Sequence, residues 1–202
     1  MIAIVDYKAG NLTSVKKAFD HLGAETIVTS DPSEVEASEK IVLPGVGHFA
    51  ATKALDDAGL RDVIIEKIEA GVPFLGICVG MQLLATRGLE HGVTKGLDWI
   101  GGQVQIIERT DPAIKIPHMG WNDVSLGRKD PAQGLIEPGE AYFLHSYHFQ
   151  PDDGAHVAAM TDHGGGLVAA VAKDNVVGVQ FHPEKSQAYG LALLTRFLEW
   201  KP

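Results

Sequence analysis

Short apolar runs alternate with amphipathic stretches through the first half of the chain. Ile2 to Val5 is continuously apolar and reads as a buried strand, after which Leu12, Val15, Phe19 and Leu22 recur at helical spacing. Gly23 follows the last periodic residue, where a left-handed helix cap is expected, and Ala24 to Thr29 is extended again. A second round brings a strand at Lys40 to Leu43, which runs into Pro44-Gly45-Val46-Gly47. A helix around Leu60 to Ala70 then ends at Gly71, ahead of the apolar run Pro73 to Cys78. Such alternation predicts an α/β fold in which helices cover a parallel sheet.

After about residue 97 the period shortens. Trp99 to Ile107, Trp121 to Leu126, Ala141 to Leu144, His156 to Met160, Val168 to Ala172 and Val176 to Phe181 all read as strands. Val168 to Phe181 forms a predicted hairpin turning at Lys173-Asp174-Asn175, because Asp and Asn tolerate the positive φ of a tight turn. Gly164-Gly165-Gly166 marks a flexible turn. Leu191, Leu194, Phe197 and Leu198 return to helical spacing and predict a closing helix packed on the sheet. The expected architecture is a mixed, largely parallel central sheet flanked by helices, with a β-rich second half. With no repeat and no long linker, residues 1–202 are expected to form one domain.

Composition narrows the function. A formal charge of −9, from 17 basic and 26 acidic side chains, opposes a phosphate backbone and excludes nucleic acid as an expected partner. The start, Met1-Ile2-Ala3-Ile4-Val5-Asp6, lacks the basic segment and long apolar run of a secretion signal. No stretch approaches the roughly 20 apolar residues of a membrane span, so a soluble, cytoplasmic protein without a membrane partner is expected. The single cysteine, Cys78, excludes an internal disulfide and leaves a thiol for chemistry or for simple burial.

Phe74-Leu75-Gly76-Ile77-Cys78-Val79-Gly80-Met81-Gln82 is an apolar strand that turns abruptly into a helix, with glycine two residues either side of the cysteine. That is the pattern of a nucleophile elbow, in which glycines permit a strained turn and the sulfur stands at a helix N-terminus that favours an anion. Val176 to Phe181 runs into His182-Pro183-Glu184, where proline fixes the turn. His182 can serve as base and Glu184 as its orienting acceptor. Attack on an amide creates an oxyanion. One donor is the Val79 N–H, next to the nucleophile, and the other is expected from the segment holding Val46 and Gly47, whose flanking glycines permit a peptide flip.

Together G-I-C-V-G-M-Q-L-L at 76–84 and V-Q-F-H-P-E at 179–184 resemble the class I, triad-type glutamine amidotransferases. The stretches D-Y-K-A-G-N-L at 6–12, P-G-V-G at 44–47, P-H-M-G-W-N at 117–122, Y-F-L-H-S-Y at 142–147 and H-P-E-K-S at 182–186 are most similar to the branch formed by the glutaminase subunits of imidazole glycerol phosphate synthase. The resemblance implies hydrolysis of L-glutamine through a thioester on Cys78 and delivery of the ammonia to a cyclase subunit in histidine biosynthesis. It implies a heterodimer and no cofactor. It also implies a substrate pocket formed by Gly45, Gln82, Glu90, His145, Ser146 and Tyr147, and a cyclase-facing set of Asn11, Met119, Trp121, Asn122, Tyr142 and Lys185. Lys8 departs from the glycine frequent at its position in the family, and Val79 replaces a frequent leucine.

Three other readings carry less. A glutaminase for pyridoxal phosphate synthase would share the triad, but P-H-M-G-W-N argues against it. A non-catalytic interaction subunit would not need Cys78, His182 and Glu184 together. His145 and His148 stand three residues apart, yet spacing suggests no third ligand, and no metal is expected.

Overall fold

The computed structural model describes residues 1–8, 11–109 and 111–202, so Ala9 and Gly10 of the D-Y-K-A-G-N-L stretch lie outside the described residues. In chain order the elements are β1 (Ile2–Val5), α1 (Leu12–His21), β2 (Thr26–Thr29), α2 (Pro32–Glu36), β3 (Lys40–Gly45), α3 (Lys53–Asp57), α4 (Leu60–Glu69), β4 (Phe74–Cys78) and α5 (Val79–Gln82). Then follow β5 (Arg87–Gly88), β6 (Thr94–Lys95), β7 (Gly102–Ile106), β8 (His118–Leu126), β9 (Gly139–His145), β10 (Tyr147–Pro151), β11 (Val157–Asp162), β12 (Gly166–Lys173), β13 (Val176–Val179) and α6 (Gln187–Glu199).

Among the described residues the main sheet runs β2-β1-β3-β4-β13-β12-β11-β8-β9. Its first five strands pair in parallel and the rest antiparallel. Parallel strands covered on both faces must be apolar throughout, which is why Ile2 to Val5 and Phe74 to Cys78 show no polar alternation. Ile2, Ile4, Leu75 and Ile77 join α1 and α6 residues Phe19, Leu194 and Phe197 in one core. Ala3, Val5, Phe74 and Leu43 point the other way, onto α2 and α4 residues Val35, Ile64 and Ile68. The sheet is therefore the middle layer, and the carboxyl ends of β3, β4 and β13 open side by side.

The predicted caps and turn are present. Gly23 and Gly71 take positive φ (72° and 85°) just beyond α1 and α4, and Asp174 (φ 53°) turns the β12–β13 hairpin, whose last pair is Lys173 with Val176. Several features differ from the sequence reading, which does not contain the short helices α2 and α3. A second, four-stranded sheet ordered β10-β7-β5-β6 stands apart from the main one. Its β5 and β6 are two residues each, too short for any periodicity, and β10 is a strand that the 142–147 stretch conceals by running straight on from β9. The Trp99 to Ile107 run is extended only from Gly102. No helix among the described residues is long and apolar enough to cross a membrane.

Candidate active site

The Cys78 position is made by close packing. Cys78 ends β4 with φ 55° and ψ −108°, a strained combination for a residue carrying a Cβ, of the kind that persists only where its surroundings impose it. A Cβ on Gly80 would lie 1.8 Å from the Leu43 carbonyl oxygen, and one on Gly76 would lie 2.5 Å from the Gly80 carbonyl oxygen. Both glycines are therefore required by contact. Cys78 is buried, with its sulfur at the start of the short helix α5.

The histidine is held by backbone. After β13, the His182 N–H donates to the Tyr142 carbonyl (2.9 Å), the Ser186 hydroxyl donates to the His182 carbonyl (2.6 Å), and the Tyr142 N–H donates to that hydroxyl (2.9 Å). These bonds tie the 183–185 turn to β9. His182 Nδ1 lies 2.9 Å from Glu184 Oε1, with both side chains 2% exposed. Among the described residues Nε2 of His182 is buried and forms no hydrogen bond, so one ring nitrogen is committed to the carboxylate and the other is left for proton transfer. Burial works against the imidazolium, but the neighbouring Cys78 and Glu184 side chains outweigh it and push the His182 pKa up to about 9.

A cleft of about 320 Å³ opens over the sulfur. Val46, Gly47, Cys78, Val79, Gln82, Glu90, His145, Ser146, Tyr147 and His182 line it, together with His48, Pro117 and Leu144. Glu184 stands behind His182. Gly45 lies beneath the wall, paired with Cys78 across β3 and β4, where a Cβ would strike the Tyr7 hydroxyl and Val79. Val79 is the first residue of α5, and the first N–H groups of a helix have no partner within it. Gly47 takes φ 102° at the cleft edge. Glu90 is buried, with Oε1 at 3.0 Å from His48 Nδ1 and Oε2 accepting from the Phe49 N–H at 2.7 Å. A carboxylate has further lone pairs, so a substrate ammonium can still be received. His48, Glu90 and His91 also bring ligand atoms within 4.8 Å of one another, the metal-type grouping found among the described residues.

On β8 and β9, Met119 (65% exposed), Trp121 (47%), Leu144 and half-buried Tyr142 share the outward face, with Trp121 edge-on to Tyr142 and Lys185 Nζ over the Tyr142 ring. Asn122 alternates to the other face, next to His118. Asn11 precedes α1 and makes no capping bond with its side chain.

The family model for class-I glutamine amidotransferases matches residues 3–199. The chain belongs to that family. It is 51% identical to "Imidazole glycerol phosphate synthase subunit HisH" of Zymomonas mobilis over all of this chain and 96% of that protein. The proteins of the same name from Caulobacter vibrioides (51%, covering 99% of that protein) and Bradyrhizobium diazoefficiens (48%, 99%) also match over the whole chain. A solved glutamine amidotransferase superposes with TM-score 0.77 at 20% identity over 98% of both chains, and PurLQS from Thermotoga maritima with 0.72 at 19%, over 98% of this chain and 97% of that one. At those identities the likeness is of fold. Within this amidotransferase chain, sequence reasoning missed His48, Pro117, Leu144, Ser186 and Gln180, the last of which donates to the sulfur at 3.6 Å. Gln180 sits in the V-Q-F-H-P-E stretch, but its direction depends on β13 lying beside β4, which no local pattern reveals.

Proposed function

We propose that this chain is the glutaminase subunit of an imidazole glycerol phosphate synthase. It hydrolyses L-glutamine in the cytoplasm and passes the ammonia to a cyclase subunit of histidine biosynthesis. The observation that carries the chemistry is the meeting, at one cleft, of a strained Cys78 and a buried His182–Glu184 pair. Full-length relatives of one name support the choice of synthase. The free thiol suits a reducing compartment.

The Cys78 thiolate attacks the side-chain amide carbon of glutamine. The resulting oxyanion is received by the Val79 N–H and a donor from the Val46–Gly47 segment. Protonated His182 gives its Nε2 proton to the departing nitrogen, the C–N bond breaks, ammonia leaves and a γ-glutamyl thioester remains. His182, now neutral, takes a proton from water. The hydroxide equivalent attacks the thioester carbon, and glutamate and the thiol are released. Glu184 holds the ring and stabilises its charge throughout. Gln82 and Glu90 receive the amino-acid end, with backbone of His145, Ser146 and Tyr147 forming the opposite wall. Asn11, Met119, Trp121, Asn122, Tyr142 and Lys185 face or communicate with the cyclase.

The Val46 peptide reorients when the cyclase docks, so the isolated chain is slow. Glutamate release is measured with and without a histidine-pathway cyclase carrying its nucleotide ligand. Marked stimulation is expected. Equal rates would remove the gating, and stimulation by a pyridoxal-synthase barrel instead would overturn the choice of synthase.

A further inference from the structure

The polar groups beneath the cleft form one line. Asn122 Nδ2 lies 3.0 Å from His118 Nε2, His118 Nδ1 lies 3.0 Å from His145 Nε2, and His145 Nδ1 lies 2.9 Å from the Tyr147 carbonyl. That carbonyl also accepts from Gln82 Nε2 (3.0 Å), which donates to Gln180 Oε1 (3.0 Å), and Gln180 Nε2 donates to Cys78 Sγ (3.6 Å).

Each role in this line is forced by its neighbour. The Tyr147 carbonyl can only accept, so both groups facing it are donors: Gln82 Nε2 and the protonated Nδ1 of His145. Neutral His145 then accepts at Nε2 from His118 Nδ1–H, and His118 accepts at Nε2 from the Asn122 amide. The second hydrogen of that amide goes to the Asp162 carbonyl at 2.7 Å. Gln82 spends its other hydrogen on Gln180 Oε1, which turns the Gln180 nitrogen to the sulfur. A proton added to either imidazole would set donor against donor.

The surroundings hold both rings neutral. Burial, and to a lesser extent the neighbouring His163, both push the His118 pKa down, to about 4. Burial pushes His145 down to about 3, over the opposing bond to the Tyr147 carbonyl and with His118, His148 and His163 adding to the fall. His118 is also stacked between Phe143 and His163, at 4.6 and 4.2 Å between ring centres.

We propose that Gln180 and His118 are positioning residues for the nucleophile, the inner and middle members of an unbroken hydrogen-bond line from β8 to the Cys78 sulfur. The line starts on the strand whose outward face carries Met119 and Trp121, so a partner seated there moves the anchor of the line. This rests on the reading of Cys78 as nucleophile.

With one cysteine in the chain, the rate of alkylation by iodoacetamide reports Cys78 alone. The rate is followed from pH 5 to 9 in the wild type, Gln180→Leu, His118→Phe and the double variant, with folding checked by thermal melting. His118→Phe keeps a flat ring in the stack and removes both bonds. Gln180→Leu loses a donor to the thiolate, so its profile moves to higher pH. His118→Phe shifts the same way, with the neutral-pH rate down roughly 2- to 30-fold. The double variant loses no more than Gln180→Leu, because the line is already cut. His118→Asn, which replaces the Nδ1 donor, recovers part of the loss.

Losses that multiply in the double variant, or a His118→Phe profile that coincides with the wild type, would overturn the proposal. If His118→Phe does not fold, Asn122→Ala takes its place in the same cycle. Failure of the nucleophile reading is a separate result: a Cys78→Ala chain that still hydrolyses glutamine.

Discussion

At the scale of single residues, the site is a buried acid–base pair joined to a strained thiol, and its charge state has a thermodynamic signature. The His182 pKa is raised to about 9 from an ordinary 6.5, so the charged ring contributes stability that is fully present below about pH 6.5 and is lost as pH climbs through 9. In Cys78→Ala a main cause of the rise is gone, so the loss comes at lower pH and the fall between pH 7 and 9.5 is shallower. Urea-unfolding midpoints across that range measure it, and superimposable curves would show that the sulfur does not hold the proton on His182. The placement of the cysteine and of the His-Pro-Glu turn was legible because each depends on local chain geometry: glycines around the elbow and a proline at the turn. Tyr7 and Gln180 were not. The Tyr7 hydroxyl is buried without a hydrogen-bond partner among the described residues, against Gly45, and burial together with the nearby Cys78 raises its pKa. Both contacts arise between strands distant in sequence.

At the scale of elements, the grouping of Cys78, His182 and Glu184 depends on how tightly α5 and α6 are seated. A Cβ on Gly190 of α6 would lie 1.8 Å from the Pro183 carbonyl oxygen, and Pro183 begins the turn that carries Glu184. Gly190→Ala is expected to destabilise the protein by about 3 kcal/mol and to lower glutaminase activity more than Leu198→Ala, a change on the same helix away from the turn. Thermal unfolding and glutamate release on both variants test this, and an active, stable Gly190→Ala would show that the helix has room to shift. Phe197, fully buried between α6 and the sheet, should cost about 3–5 kcal/mol when cut to alanine, with an intact site in the fraction that folds. Helices α1, α4 and α6, the glycine caps of α1 and α4 and the β12–β13 hairpin could be read from period and turn residues, whereas the five-residue helices α2 and α3 are too short to show a period. The second sheet could not, because two-residue strands carry no period and β10 continues the apolar pattern of β9.

At the scale of the whole molecule, the outward face of β8 and β9 presents Met119, Trp121 and Leu144 beside Tyr142 and Lys185. Exposed aromatic and sulfur side chains of this kind anchor interfaces, so Trp121→Ala should weaken cyclase binding by about 2 kcal/mol, measured by calorimetric titration. Undiminished affinity would place the partner elsewhere. The order of the sheet joins this face to the cleft: β9 supplies the Tyr142 carbonyl that holds His182, while β8 carries His118 and Asn122 on the reverse side of Met119 and Trp121. Composition and charge set expectations about partners, but the meeting of elbow and histidine turn at one cleft is a property of topology, since β4 and β13 are neighbours only in space. Whether Cys78 carries the γ-glutamyl group is read by mass spectrometry of the chain quenched in acid during turnover of glutamine. A mass increase equal to glutamine less ammonia is expected on the Cys78 peptide, with no adduct and a rate at least about 10⁴-fold lower in Cys78→Ala. Glutamate release by Cys78→Ala at the wild-type rate would contradict it.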